Sequence, residues 1–137
     1  MKIGINGFGR VGRLGFRAGF DSKDYTINQI NELGGPAATA AHLLEFDTVH
    51  GRWQRDINHT DAFLIVAGEK IAYSQNARIE ETDWSGCDIV IDATGVFKSV
   101  EMLEPYFAQG VKKVVVAAPV KEEEVLNVVI GCNDDLY

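Results

Sequence analysis

The sequence predicts an α/β fold with a doubly wound, mostly parallel sheet and helices on both of its faces. Three observations support this class. Short apolar runs alternate along the chain with helical patterns, which is typical of β-α-β units. Several of the runs, including Ile89-Val90-Ile91 and Val114-Val115-Val116, are continuously apolar, and strands buried on both faces have this composition. A glycine-rich segment joins the first apolar run to the first helical pattern.

The apolar runs define the predicted strands, which cover residues 2–6, 25–31, 88–94, 112–117 and 127–131. Residues 62–68 and 70–75 form a different pattern. They are typical of two antiparallel strands that turn at Gly68-Glu69, because glycine is favoured in tight hairpin turns. We therefore expect a hairpin inserted at the edge of the parallel sheet.

Three helices are predicted in the connections. The first follows the glycine-rich segment, and its apolar residues at helical spacing share one face: Val11, Leu14 and Ala18. The second begins at Pro36, a residue favoured in the first helical turn. Its buried face is expected to contain Ala37, Ala40, Ala41 and Leu44. The third is capped by Ser99, and Pro105 is expected to keep it short or bent.

Composition excludes several functional classes. The chain has 137 residues, of which 46% are hydrophobic and 24% charged, as in one ordinary globular domain. The net charge of −7 argues against a nucleic-acid partner, which needs a positive surface. No apolar run approaches the roughly 20 residues that span a bilayer, so no membrane partner is expected. Two cysteines favour a reducing, cytoplasmic location, and no histidine–cysteine spacing indicates a metal site.

Residues 7–12 read Gly7-Phe8-Gly9-Arg10-Val11-Gly12, a G-x-G-x-x-G segment between a predicted strand and a predicted helix. In a dinucleotide-binding turn, Gly7 permits the sharp bend, Gly9 lets a pyrophosphate approach the backbone, and Gly12 lets the helix pack closely on the sheet. The N–H groups of Arg10 and Val11 would then face the phosphates at the positive end of the helix dipole.

An acidic residue provides a second, independent indication. Glu32 lies 20 residues after Gly12 and directly follows the second predicted strand. This is the place of the acid that binds the adenosine ribose in a Rossmann dinucleotide-binding domain. A carboxylate there favours NAD, because it would repel the 2′-phosphate of NADP. The residues directly after it, Leu33-Gly34-Gly35-Pro36, include no arginine.

Four segments resemble those of the type I glyceraldehyde-3-phosphate dehydrogenase family. The first is the opening Ile3-Gly4-Ile5-Asn6-Gly7-Phe8-Gly9-Arg10-Val11-Gly12-Arg13. The others follow in the family's order: Phe46-Asp47-Thr48-Val49-His50-Gly51-Arg52, Ala93-Thr94-Gly95-Val96-Phe97 and Ala117-Ala118-Pro119-Val120-Lys121. The resemblance covers the whole chain, and implies that residues 1–137 form the family's NAD-binding Rossmann domain.

The resemblance also implies roles for individual residues. Those expected around the pyrophosphate are Asn6, Phe8, Gly9, Arg10 and Val11. Those expected at the adenosine end are Asn31, Glu32 and, through its backbone, Ala77, which lies in the loop that matches the family's adenine loop. The cofactor cleft would be lined by Thr94, Gly95 and Phe97, and the nicotinamide ribose would lie near Ala117 and Ala118.

The family's catalytic cysteine belongs to an S-C-T-T-N-C segment that the resemblance places beyond Tyr137. We therefore expect no catalytic residue within residues 1–137 and no dehydrogenase activity from this chain alone. Cys87 and Cys132 are expected to be small buried hydrophobic residues. With its catalytic domain the protein would act on an aldehyde phosphate. The family also implies a homo-oligomer, a tetramer in full-length relatives.

The branch of the family stays open between alternatives. The Asn31-Glu32-Leu33 and Ala117-Ala118-Pro119 segments most resemble a branch associated with arsenic resistance, in which arsenate replaces phosphate. The erythrose-4-phosphate dehydrogenase branch also has glutamate at the position of Glu32, whereas the mainstream glycolytic enzymes have aspartate. A stand-alone nucleotide-binding module without a catalytic half is the alternative from a different functional class.

Overall fold

The computed structural model describes residues 1–137. Its strands are β1 (Lys2–Asn6), β2 (Thr26–Asn31), β3 (Phe46–Asp47), β4 (Gly51–Arg52), β5 (Ile57–His59), β6 (Phe63–Val66), β7 (Glu69–Ser74), β8 (Ile89–Asp92) and β9 (Lys113–Val116). Its helices are α1 (Arg10–Gly19), α2 (Ala37–Glu45) and α3 (Val100–Ala108), and Ile79–Glu81 and Asp134–Leu136 form short 3₁₀ helices. None of the helices has the length and apolar composition needed to cross a membrane.

Seven strands form one sheet in the order β5-β6-β7-β2-β1-β8-β9, and β3 pairs with β4 in a separate two-stranded ribbon. The central strand β1 is parallel to both of its neighbours, β2 and β8. The chain builds the sheet outward from β1 on one side and then returns to add β8 and β9 on the other. The predicted doubly wound, mostly parallel sheet is confirmed.

Two hydrophobic clusters cover the two faces of this sheet. On one face, Phe16 of α1 and Leu44 of α2 pack against Ile5 and Ile30. On the other face, Leu103 of α3 packs in a cluster with Trp84, Val90 and other buried residues. Strand β8 contributes to both clusters, with Val90 in the second and Ile91 packed against the first, because successive side chains of a strand point to opposite faces.

The helices follow the predictions with one difference. The alanines of α2 and Leu44 are buried, as predicted. Ser99 accepts a hydrogen bond from the Met102 N–H at 3.2 Å and begins α3, a nine-residue helix that contains Pro105. In α1, however, the buried face is formed by Gly12, Phe16 and Gly19. The predicted apolar face lies on the outside, where Val11 is 60% exposed.

The hairpin is present, but it is larger and more integrated than predicted. Its turn is Ala67-Gly68, with φ values of 50° and 85°, which is the two-residue geometry that matches strand twist. Strand β7 is antiparallel to β6 and parallel to β2, so it belongs to the main sheet. Strand β5, which the sequence pattern did not predict, extends the antiparallel part.

The predicted strand at residues 127–131 is wrong. The structure has no strand there, and Ile130 is 88% exposed. Asparagine side chains bend this segment. The side-chain oxygen of Asn133 accepts a hydrogen bond from the Val129 N–H at 2.6 Å, and the side-chain amide of Asn127 donates to the Val120 backbone carbonyl at 2.9 Å. Such local bonds compete with strand pairing, so β9 remains the edge of the sheet.

Gly4 is predicted to be required for the packing of the second face. A Cβ atom at this position would lie 2.8 Å from Cζ3 of the fully buried Trp84. Gly4→Ala should therefore destabilise the fold by about 1–3 kcal/mol through overpacking, measured by urea unfolding. Gly15→Ala is the matched control, because a Cβ atom there meets nothing within 4 Å and alanine favours helix. Equal stability of the two variants would contradict the prediction.

Candidate dinucleotide-binding site

The predicted site residues lie at the carboxyl edge of the parallel strands. Strands β1, β2 and β8 end there at Asn6, Asn31 and Asp92. Because β1 connects forward to β2 while β8 pairs with its other side, the order of strands reverses at β1. In open α/β sheets such a reversal leaves a crevice outside the strand ends, which is where ligands bind.

The glycines of the turn after β1 meet three different steric demands. Gly7 has φ +86°, and a Cβ atom there would lie 2.6 Å from the Thr94 amide nitrogen. A Cβ atom on Gly12 would lie 2.1 Å from the Gly7 carbonyl oxygen. Gly9 differs, because a Cβ atom there would meet nothing within 4 Å. Gly7 and Gly12 therefore allow the chain to pack, whereas Gly9 leaves open space above the backbone.

The N-terminus of α1 is open to an anion. Gly9 is its N-cap residue and supplies no side-chain hydrogen bond, and the first turn contains no acidic residue. The first N–H groups of a helix, here those of Arg10 and Val11, have no partners within the helix. Together with the helix dipole they favour a negatively charged ligand, as the sequence predicts.

Glu32 lies across the turn from this helix end, at the end of β2. Its Oε2 atom accepts a hydrogen bond from the Phe8 N–H at 2.5 Å, and its Oε1 atom accepts one from the Gly34 N–H at 2.6 Å. These bonds fix a half-buried carboxylate in the wall of a cavity of about 170 Å³, which Arg13 and Tyr73 also line. Burial and the nearby Glu32 raise the pKa of Tyr73 to about 12.

A buried hydrogen-bond network holds the strand ends together beneath the turn. The Asn6 side-chain amide donates to the Tyr106 hydroxyl at 2.6 Å, and that hydroxyl donates to Asp92 at 2.8 Å. The Asn31 side-chain amide donates to the Asn6 side-chain oxygen, Oδ1, at 2.8 Å. Burial, together with the Asp92 charge, raises the pKa of Tyr106, so the hydroxyl stays protonated.

This network changes the interpretation of two predicted residues and adds two that were missed. Asn6 and Asn31 are 3% and 4% exposed, and their side-chain amides bind within the protein. Tyr106 and Asp92 were not predicted, although an aspartate that ends an apolar strand is a recognisable signal. Tyr106 has no comparable signal, since it lies within a helix 100 residues from Asn6 in the sequence.

The remaining predicted residues lie along the same edge. Thr94 donates from its hydroxyl to Asp92 at 2.7 Å, Gly95 follows with φ +69°, and Phe97 packs partly buried on the second cluster. The Ala117 N–H donates to the Asp92 carbonyl at 2.8 Å, which leads the chain into Ala118. Ala77 is exposed in a loop that the Asn76 N–H ties to the Asn31 side chain at 2.8 Å.

The two cysteines differ from each other. Cys87 is 4% exposed in the cluster around Trp84, and burial raises the pKa of its thiol to about 11. The prediction of a small buried residue is confirmed for Cys87. It is wrong for Cys132, which is exposed because the expected buried strand before it does not form.

The fold and this site define a dinucleotide-binding α/β domain of the Rossmann class. Residues 1–100 match the family described as the glyceraldehyde 3-phosphate dehydrogenase NAD-binding domain. The chain belongs to this family, and its cofactor is NAD.

Curated relatives show the same relationship. The chain is 45% identical to glyceraldehyde-3-phosphate dehydrogenase 3 of Nostoc sp. and 40% identical to glyceraldehyde-3-phosphate dehydrogenase of Streptomyces coelicolor. It is 39% identical to the enzyme of that name from Geobacillus stearothermophilus. Each alignment includes 100% of this chain and 41% of the relative. The chain therefore spans about two fifths of the length of these relatives.

Tyr106→Phe should destabilise the domain by about 1–3 kcal/mol, because it leaves the buried Asn6 side-chain N–H and the Asp92 Oδ2 atom each without the partner that the hydroxyl supplies. Tyr137→Phe is the control, since the Tyr137 hydroxyl accepts a hydrogen bond from Lys113 at the exposed surface. Urea unfolding of both variants checks the prediction. A loss of stability no greater than that of Tyr137→Phe would show that the network is not required.

Proposed function

We propose that residues 1–137 are the NAD-binding domain of an NAD-dependent dehydrogenase that oxidises an aldehyde phosphate, and that the catalytic residues belong to a further part of the protein. One observation carries the binding role. The space above Gly9, the uncapped N-terminus of α1 and the Glu32 carboxylate lie around one turn. A dinucleotide needs three features at such a turn: open space for its pyrophosphate, the positive end of a helix dipole, and an acceptor for its ribose hydroxyls.

Each part of the cofactor has residues suited to hold it. The pyrophosphate would lie against Gly9 and receive hydrogen bonds from the Arg10 and Val11 N–H groups. The adenosine ribose hydroxyls would donate to Glu32, whose position two backbone N–H groups fix. The nicotinamide end would lie toward Thr94 and the segment after β9. When bound, NAD supplies the acceptor for a hydride, and this chain supplies its binding and orientation.

The proposed preference for NAD over NADP follows from the same carboxylate. Both oxygens of Glu32 accept hydrogen bonds from backbone N–H groups, one from Phe8 in the glycine turn and one from Gly34 in the loop after β2, so the carboxylate is held in place. A 2′-phosphate placed there would meet a fixed like charge. This supports NAD as the preferred cofactor.

The size of the cavity favours an enzyme domain over a stand-alone module. The cavity is open to solvent and has a volume of about 170 Å³, whereas pockets for small molecules usually hold about 300–1,000 Å³. The chain by itself thus encloses only part of a dinucleotide, and a second domain would cover the rest. Exposed apolar residues such as Val96, which is 65% exposed beside Gly95, are consistent with such a cover and with assembly into a homo-oligomer.

The proposal also covers the aldehyde substrate and the group that accepts the acyl product. The family resemblance favours glyceraldehyde 3-phosphate as the aldehyde, oxidised through a thiohemiacetal on a cysteine beyond Tyr137. Phosphate would release the acyl group, or arsenate if the protein belongs to the arsenic-resistance branch. Erythrose 4-phosphate is the alternative substrate, since the erythrose-4-phosphate dehydrogenase branch also has glutamate at the position of Glu32. A cytoplasmic location fits the small number of cysteines.

The binding role is tested with Gly9→Leu. The added side chain should occupy the open space and reduce NAD affinity at least about tenfold, since it removes the backbone approach, while the fold is kept. Gly15→Leu is the control, because it places the same side chain in open space on the same helix. Isothermal titration calorimetry and circular dichroism measure the two effects. Equal NAD affinity of both variants would contradict the assignment of Gly9.

Catalysis is tested separately. The 137-residue chain should form no NADH from glyceraldehyde 3-phosphate or erythrose 4-phosphate, with either phosphate or arsenate. Neither cysteine fits the role of nucleophile, because Cys87 is buried with a raised pKa and a catalytic thiol needs an activating group. Turnover that disappears in Cys87→Ser or Cys132→Ser would overturn this prediction.

A further inference from the structure

We propose that Arg13 is a second specificity residue at the adenosine end, and that it gives the cavity an affinity for a 2′-phosphate which the charge of Glu32 masks. The inference deepens the proposed NAD-binding function and rests on it. Arg13 follows Gly12 directly, so it precedes Glu32 in the sequence and does not belong to the segment after that residue. The fold of the turn brings it into the same cavity wall as Glu32.

The guanidinium has unused donors. Nη1 of Arg13 donates to the Phe8 carbonyl at 2.8 Å, and this is its only side-chain hydrogen bond within the chain. Six ion pairs are present, and none includes Arg13. A guanidinium carries five N–H donors. Arg13 therefore presents free donors and a full positive charge beside the cavity, fixed in place by one bond to the backbone of the turn.

The charges around Arg13 explain why this affinity is masked. Burial lowers the pKa of Arg13, while the carboxylates of Glu32 and Asp47 oppose that effect, and Arg17 and Arg10 add to it. The cation is thus partly desolvated and balanced by acids. Glu32 is the acid that shares the cavity. If its charge is removed, a partly dehydrated guanidinium remains with free donors, which is the group that binds phosphate best.

A role of Arg13 at the 2′ position and a role at the pyrophosphate predict different binding behaviour. Both ends of the cavity are close to Arg13, because Gly9 and Glu32 line the same wall. An arginine that served the pyrophosphate would strengthen NAD and NADP binding equally, since both carry that group. An arginine that serves the 2′ position would change only the ratio of the two dissociation constants. That ratio is therefore the quantity to measure.

The experiment compares NAD and NADP binding by calorimetry in Glu32→Gln and in Glu32→Gln combined with Arg13→Gln. Glu32→Gln should improve the affinity for NADP relative to NAD about tenfold, through removal of a like charge. Arg13→Gln in the same background should reverse most of this gain, because it should weaken NADP binding more than NAD binding. Arg13→Lys should keep part of the gain in NADP affinity. The same comparison is then made without the nicotinamide half, by measuring the binding of adenosine 2′,5′-bisphosphate and of AMP.

Controls make the outcomes separable. Arg55→Gln removes an arginine that pairs with Asp21 at the exposed surface, and it should leave the ratio unchanged. If Glu32→Gln lowers the stability of the turn, Glu32→Ser replaces it as the background in which Arg13 is changed. A ratio that does not depend on Arg13 in either background overturns the inference. Absence of NAD binding by the native chain would instead refute the proposed function.

Discussion

The Tyr106 hydroxyl is the contact on which the site edge depends. It receives a hydrogen bond from Asn6 at the end of β1 and donates one to Asp92 at the end of β8. These are the two strands between which the crevice opens. Buried polar atoms are costly without a partner, and one hydroxyl from α3 pairs with both the Asn6 side-chain N–H and the Asp92 Oδ2 atom. The glycine turn begins at the next residue, so its starting position is set by this contact.

Above the network, the surface that faces the crevice is mostly backbone. Gly7, Gly9 and Gly12 bring main-chain atoms to the surface or into contact, and the helix N-terminus adds N–H groups. Side chains that seemed to be ligands from the sequence, Asn6 and Asn31, instead hold the strands. The two charged side chains in the cavity wall, Glu32 and Arg13, are therefore the ones that can distinguish between related ligands.

Three arginines lie on α1, although the chain as a whole is acidic. The net charge is −7, yet Arg10, Arg13 and Arg17 follow each other at helical spacing along α1. Each is anchored: Arg10 to Asp47 at 3.4 Å, Arg13 to the Phe8 carbonyl, and Arg17 to the Leu44 carbonyl at 2.6 Å. The anchors also join α1 to α2 and to the β3–β4 ribbon, so the same residues serve packing and charge.

Local patterns predicted much of the fold and of the site, and contacts distant in sequence were missed. The glycine turn and Glu32 follow from spacing, because strand, turn and helix are consecutive. Tyr106 and Arg13 could not be assigned in this way, since their positions depend on how α3 and the turn pack. The apolar run at 128–130 gave a false strand because composition carries no information about a partner strand, and the neighbouring asparagines bend the chain.

The pairing of β7 has a consequence for the order of folding. Strands β5, β6 and β7 are joined by short turns and pair antiparallel, whereas β1 pairs with β8, and the Lys2–Asp88 contact closes a separation of 86 residues. Short loops close at a lower entropic cost and sooner than long ones. The antiparallel meander can therefore form first and offer the free edge of β7 to β2. The crevice between β1 and β8 is then among the last features to appear, so a partly folded chain has its hydrophobic meander before it has any affinity for its ligand.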